Sequence, residues 1–291
     1  MMDFSKVKRY SIKQRKSKVS INDLAKLTAP KKLPDGVSKS DFNEVVNRIR
    51  KAKMDGKRIV WGIGAHVIKC CLSPYIIALM KNGFVSCLAT NGAAAIHDSE
   101  LALFGKTSEY VEESIKDGSF GFCEETGKFI NNAVNKNPEI GYGKSIGQML
   151  IDSKAKYIDY SIFANAVRLD IPITVHVAIG TDITHMHPEC DGAKIGEASY
   201  NDFKTFCGMI TKLEGGVYLN VGSAVILPEV FLKAVSVARN LGTLNKFTTV
   251  NMDFKRMYRS EENVVKRHGS GFSLIGSHEV LIPLLANALV K

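Results

Sequence analysis

Five apolar runs in this chain each empty into a short turn of small and polar residues. The turns read GIGAH (Gly62–His66), ATNGAAAIHD (Ala89–Asp98), AIGTDITHMH (Ala178–His187), NVGSA (Asn220–Ala224) and VNMDF (Val250–Phe254). Segments of helical period lie between the runs. A run of about five β-formers reads as a strand, and a stripe at i, i+3, i+4 reads as a helix. Strands that alternate with helices predict an α/β fold: a Rossmann-like open, mainly parallel sheet with helices on both faces.

The first helix is expected after Ser38 or Ser40, with Phe42, Val45, Val46 and Ile49 on one face and Gly56 beyond its end. RIVWGIG (Arg58–Gly64) reads as a strand, SPYIIALMKNG (Ser73–Gly83) as a helix with Pro74 in its first turn, and VSCLATNG (Val85–Gly92) as a second strand. That unit implies parallel strands with a right-handed crossover. SEYVEESIKDG, FCEETGKFINNAVNK, GYGKSIGQMLIDS and Ile158–Asp170 form a helical middle. Strands follow at Ile173–Gly180, Gly215–Gly222, Lys246–Met252 and Gly271–Gly276, with helices at Tyr200–Leu213, Leu227–Asn240 and Ser277–Val290. No internal repeat or low-complexity linker interrupts this body, which reads as a single domain over 38–291.

Residues 1–37 read as a basic N-terminal arm. The net charge is +10, and residues 1–40 carry 11 Lys or Arg against three acids, which is +8 of that total. A strongly basic chain invites a nucleic-acid reading. The near-neutral body argues against nucleic acid and for a solvated or subunit-crossing arm. No apolar run reaches the length of a membrane span, no secretory h-region opens the chain, and the six cysteines contain no C-x-x-C pair. These features point to a cytoplasmic protein with reduced thiols and no membrane partner.

Ligands of open α/β sheets sit outside the carboxyl ends of the strands, so the five turns are the candidate pocket. Glycine lets a ligand approach the backbone, and Ser, Thr, Asn, Asp and His supply hydrogen bonds. Gly62-Ile63-Gly64 lacks the third glycine of a dinucleotide fingerprint. Asn220, Gly222 and Ser223 lead towards a helix start that suits phosphate or carboxylate, or simply pack a helix on a strand through Gly. His66, His97, His185 and His187 lie on strand-end turns and can converge; His66, His185 and His187 are the candidates for acid–base work, with Asp98 or Glu197 as an orienting partner. His176 reads as a core histidine, and His278 as a cap. A zinc set of Asp182, His185, His187 and Cys190 needs a kinked loop, because residues i and i+2 of an extended segment face apart. H-E-x-x-H and the other zinc signatures are missing, so no metal is expected, and a metal-dependent hydrolase on His185 and His187 stays an alternative.

The order of these turns resembles deoxyhypusine synthase. The resemblance runs from about Arg58 to the C-terminus. Gly64-Ala65-His66-Val67-Ile68-Lys69 falls on the family's first cofactor loop. Thr90-Asn91-Gly92-Ala93 resembles its Thr-Ala-Gly-Gly segment, Thr181-Asp182 its Thr-Asp-Gly turn, and Gly222-Ser223 the end of its Gly-Gly-Gly turn. The closing SHEVLIPLLANAL resembles its last helix. The resemblance implies a Rossmann-like sheet, an NAD pocket built by Gly64, Ala65, Thr90, Asn91, Gly92, Thr181, Asp182, Gly222 and Ser223, and a homotetramer. In that family a butylamine group passes from spermidine to a lysine of a translation factor through an imine on an active-site lysine. Here the Ser-Trp-Gly-Lys motif is replaced by Val264-Val265-Lys266-Arg267, so Lys266 stands in the lysine's place without its setting. The family's pocket histidine falls near Pro228, its amine-gripping aspartate on His187, and its closing aspartate on Ser277. Lost acids argue against a polycationic substrate. The resemblance therefore implies a divergent, transferase-type enzyme that acts on a small molecule other than spermidine, with His185, His187, His66 and Lys266 as its catalytic candidates. A non-catalytic binding or assembly protein is the third reading.

Overall fold

The strands of the main sheet pack on both faces, as a parallel sheet covered by helices requires. The computed structural model describes residues 2–28 and 32–290. Met1, Lys31 of the basic segment and Lys291 lie outside the described residues.

The elements in chain order are β1 (Ser17–Ser20), α1 (Lys39–Met54), β2 (Ile59–Ile63), α2 (Ala65–Lys69), α3 (Ser73–Lys81), β3 (Cys87–Asn91) and α4 (Gly92–Phe104). Next come β4 (Lys106–Glu109), α5 (Val111–Asp117), α6 (Glu124–Lys136), α7 (Tyr142–Asp152), α8 (Ile162–Arg168) and β5 (Ile173–His176). The chain then forms α9 (Gly192–Ile210), β6 (Val217–Val221), α10 (Ile226–Asn240), β7 (Thr248–Asp253), α11 (Tyr258–Ser260), β8 (Ser270–Ile275) and α12 (His278–Val290).

The six-stranded sheet runs β5-β3-β2-β6-β7-β8, and each adjacent pair is parallel. Numbered by appearance within that sheet, the order is 3-2-1-4-5-6, the doubly wound arrangement. Its switch point lies between β2 and β6, where Gly62 pairs with Asn220 and Ile63 with Val221. Alternate residues feed two cores. Ile59, Trp61 and Ile63 join one apolar cluster with α1, α3 and α12, while Val60 joins the other with α9 and α10. Among the described residues no helix is long and apolar enough to cross a membrane, and the six cysteines are free.

The N-terminal segment differs from a solvated arm. Strand β1 pairs antiparallel with β4, Tyr10 bridges to Cys123, and Ile12 is buried. The segment carries its own apolar anchor and a charge match for the body, which its composition alone hides. Helix α4 was not legible as a helix because it is buried on several sides and shows no amphipathic stripe. Helix α9 starts at Gly192, eight residues before the expected Tyr200, because Asp191 caps it through the N–H groups of Ala193 and Lys194. The strand expected over Ile173–Gly180 ends at His176.

Candidate active site

Beyond β5 the chain turns at Gly180, with φ +99°, and Thr181 donates its hydroxyl to the Ala178 carbonyl at 2.7 Å. Asp182 then caps a 3₁₀ turn, Ile183–Met186. The His185 ring folds back over this turn. Its Nδ1 accepts from the N–H groups of Gly180 at 3.0 Å and Asp182 at 3.2 Å. An Nδ1 that accepts leaves the proton of the neutral ring on Nε2. That Nε2 has no partner among the described residues, and it faces Asp182 Oδ2, also unpartnered, at 3.9 Å. The two side chains are 4% and 9% exposed, so both groups are desolvated. Burial lifts the Asp182 pKa to about 6 and pushes that of His185 below its ordinary value.

Across the turn lies the N-terminus of α4. A Cβ at Gly92 would stand 1.8 Å from Asp182 Oδ2, so only glycine admits the carboxylate there. Asn91 caps α4 by accepting from Ala94 N–H at 3.1 Å, and Thr90 donates to the Ile63 carbonyl at 2.7 Å, tying the tops of β2 and β3 together. Asp182 and Thr181 line a cavity of about 290 Å³. Lys18, Lys69 and His97 bring further polar groups to it, over an apolar floor that includes Ile96 and Phe120.

A second cluster surrounds the switch point. A Cβ at Gly64 would lie 2.0 Å from the Gly222 carbonyl oxygen, so close packing of two strand ends accounts for that glycine without a phosphate. Ala65 opens α2, and Ser223 Oγ accepts from Leu227 N–H at 3.3 Å. His66 is exposed, 3.2 Å from Cys70 Sγ, with its ring 5.4 Å from that of His278. The unpartnered acceptor lies at the other end, where the free Asp182 Oδ2 suits a hydroxyl or amine donor.

Other candidates are held elsewhere. The His187 ring is buried, with Nε2 at 2.9 Å from the Gly121 carbonyl, and it fills the space above Gly127, where a Cβ would stand 2.1 Å from Nδ1. His185 and His187 thus turn to different partners. Among the described residues no group of three His, Cys, Asp or Glu is placed to hold a metal ion. Lys266 is exposed and paired with Glu262 at 2.5 Å. Asp98 caps α8 through Ile162 N–H at 2.8 Å, and Glu197 is exposed, so neither orients a candidate histidine.

Residues 43–182, just under half of the chain, match the family model of the arginine dihydrolase ArgZ-like C-terminal Rossmann fold. Among solved structures, AgrE in ternary complex with ornithine and NAD+ is similar at a TM-score of 0.58 and 18% identity, over 87% of this chain and 33% of that one. The chain thus spans a third of the length of AgrE. A protein assigned to LOR/SDH from Methanococcus maripaludis S2 is similar at 0.54 and 16% identity, over 89% and 73%. One assigned to deoxyhypusine synthase from Entamoeba histolytica is similar at 0.53 and 12% identity, over 86% and 87%. No curated protein sequence matches. The chain therefore carries a Rossmann fold, matched by the ArgZ-like model over residues 43–182 alone, and it shares that fold with proteins assigned to LOR/SDH and to deoxyhypusine synthase.

Proposed function

We propose that the protein is a Rossmann-type enzyme that binds a nicotinamide dinucleotide along the carboxyl edge of its sheet and a small, amine-bearing acid in the cavity beside Asp182. The observation that carries this reading is the buried, unpartnered Oδ2 of Asp182, a residue of the turn beyond β5 that lines the cavity. A native fold rarely leaves such an acceptor empty, because an unmade bond costs about 1–3 kcal/mol. A ligand ammonium or hydroxyl would complete it.

When bound, the dinucleotide supplies hydride acceptance. The chain's own residues bind the substrate and move a proton. Asp182, with its pKa raised to about 6, is mostly ionised at neutral pH and close enough to neutrality to take a proton and return it. The His185 Nε2–H, 3.9 Å away, can follow that charge. Lys18 and Lys69 offer cations to a carboxylate. AgrE is crystallised with ornithine and NAD+, and ornithine carries both the amine and the acid. Exposed Ile179, Val225 and Phe254 follow β5, β6 and β7, and we read this edge as covered by a second copy in a homo-oligomer.

Calorimetric titration of the full chain with NAD+, and with L-ornithine in the presence of NAD+, tests the reading. Saturable binding of both is expected, with Asp182→Asn weakening L-ornithine by about tenfold or more. If neither ligand binds at millimolar concentration, the reading falls.

A further inference from the structure

His97 sits on α4, about two turns past the strand end, and lines the same cavity. Its Nδ1 lies 2.8 Å from Thr107 Oγ1 on β4. Which atom gives the proton follows from what lies behind Thr107. That hydroxyl also lies 2.5 Å from Glu100 Oε2. Threonine has one proton to give, and an ionised carboxylate can only accept. With Glu100 ionised, Thr107 donates to it, and a lone pair of Thr107 Oγ1 accepts from His97 Nδ1–H.

Arg15 decides that Glu100 is ionised. The Arg15 and Glu100 side chains are 4% and 2% exposed, and the guanidinium grips both carboxylate oxygens, at 2.5 and 2.9 Å. Thr126 adds a hydroxyl at 2.7 Å. Burial alone would raise the Glu100 pKa, but the Arg15 guanidinium and the two threonine hydroxyls outweigh it and hold the carboxyl below its ordinary value. The relay therefore runs Arg15, Glu100, Thr107, His97, and it begins 85 residues from Glu100 in the N-terminal segment. The other ring nitrogen, Nε2, makes no hydrogen bond among the described residues and is not among the sealed, unpartnered atoms.

We propose that His97 is a hydrogen-bond acceptor of this cavity, delivered as the neutral Nδ1–H tautomer by the Arg15–Glu100–Thr107 relay, with its Nε2 lone pair free for a ligand N–H or O–H. The inference rests on the cavity being the ligand site. Arg15, Glu100 and Thr107 are positioning residues, and His97 is the member of the relay that meets the ligand. Arg15 and Glu100 themselves reach the cavity wall, and Lys69 on α2, Lys18 on β1, Glu109 on β4 and Asp182 also line it. Burial pushes the His97 pKa down to about 4, opposed by Glu100 and reinforced by Lys69 and Arg15, so the ring stays neutral at physiological pH.

Long-range proton–nitrogen NMR on the full chain labelled with ¹⁵N-histidine reads the tautomer directly, with His97→Gln assigning the signal. The expected spectrum at pH 7 has Nδ1 protonated and Nε2 bare, with no titration until the pH falls towards 4. An Nε2–H tautomer, or a midpoint near 6.5, overturns the proposal. Glu100→Gln should move the proton to Nε2, because an amide can donate to Thr107 and turn its hydroxyl towards His97. Arg15→Met should do the same where it folds, and Arg15→Lys should preserve the wild-type tautomer. An unchanged tautomer in Glu100→Gln also overturns the relay. With NAD+ and L-ornithine bound, the Nε2 resonance should shift, and binding without that shift removes His97 as the acceptor. If neither ligand binds, the proposed function fails, while the ligand-free spectra still decide the tautomer.

Discussion

Asp182 is held where a carboxylate weakens the fold, and that cost is measurable. Its folded pKa is raised from 3.8 to about 6 by burial. The folded state therefore binds more protons than the unfolded chain between those values, and this residue's contribution to stability falls as pH rises through that window. Asp182→Asn keeps the cap oxygen and removes the charge. Denaturant unfolding should show the variant more stable than wild type by about 1–3 kcal/mol at pH 8, with the gap closing towards pH 4. A variant no more stable at pH 8 would contradict the burial argument. Gly92→Ala drives a Cβ to within 1.8 Å of Asp182 Oδ2, so it should displace the carboxylate, abolish L-ornithine binding and cost about 1–3 kcal/mol. The turn positions of Thr181-Asp182 and Asn91-Gly92 were legible because small and polar residues follow each apolar run. The tautomer of His185 was not, since it depends on how the loop folds back. Nor was Arg15–Glu100, because nothing local links two charges so far apart in the chain.

At the scale of elements, one buried acid fastens the edge of the sheet. Asp202 on α9 accepts from Gly143 N–H of α7 at 2.9 Å and from Val175 N–H of β5 at 2.7 Å. Edge strand β5 carries the turn that positions Asp182, so this anchor supports the site from below. Asp202→Ala leaves two buried donors unmet and should destabilise the protein by about 2–4 kcal/mol in chemical denaturation. Burial, working against those backbone bonds, raises the Asp202 pKa to about 7. Its contribution to stability falls as pH rises from 3.8 to that value, so the deficit of the alanine variant should be largest in acid. Helix and strand positions were mostly readable from period. The exceptions have physical causes: α4 is buried too evenly to show a stripe, and β4 is four polar residues held by a partner in the N-terminal segment.

At the scale of the molecule, the strand order could not be read from the sequence, since alternation fixes the class of fold and not which strands touch. The resemblance to deoxyhypusine synthase pointed to the right kind of sheet, and the 3-2-1-4-5-6 order places the switch point between β2 and β6. The basic segment needed the body before it made sense: it closes one wall of the cavity and neutralises Glu100. Removing residues 1–20 strands that buried carboxylate and should destabilise the protein by about 3–5 kcal/mol, read as a lowered thermal midpoint. Adding Glu100→Gln to the truncated chain should recover part of the loss, because a neutral amide tolerates the unpaired site.

The account stands on Asp182 as the group that meets the ligand. A crystal structure of the full chain soaked with NAD+ and L-ornithine tests this most directly. The account expects a ligand N–H or O–H within hydrogen-bond distance of Asp182 Oδ2, in the cavity shared with His97. Ligand density seated elsewhere, with Asp182 Oδ2 still facing His185 alone, would contradict it.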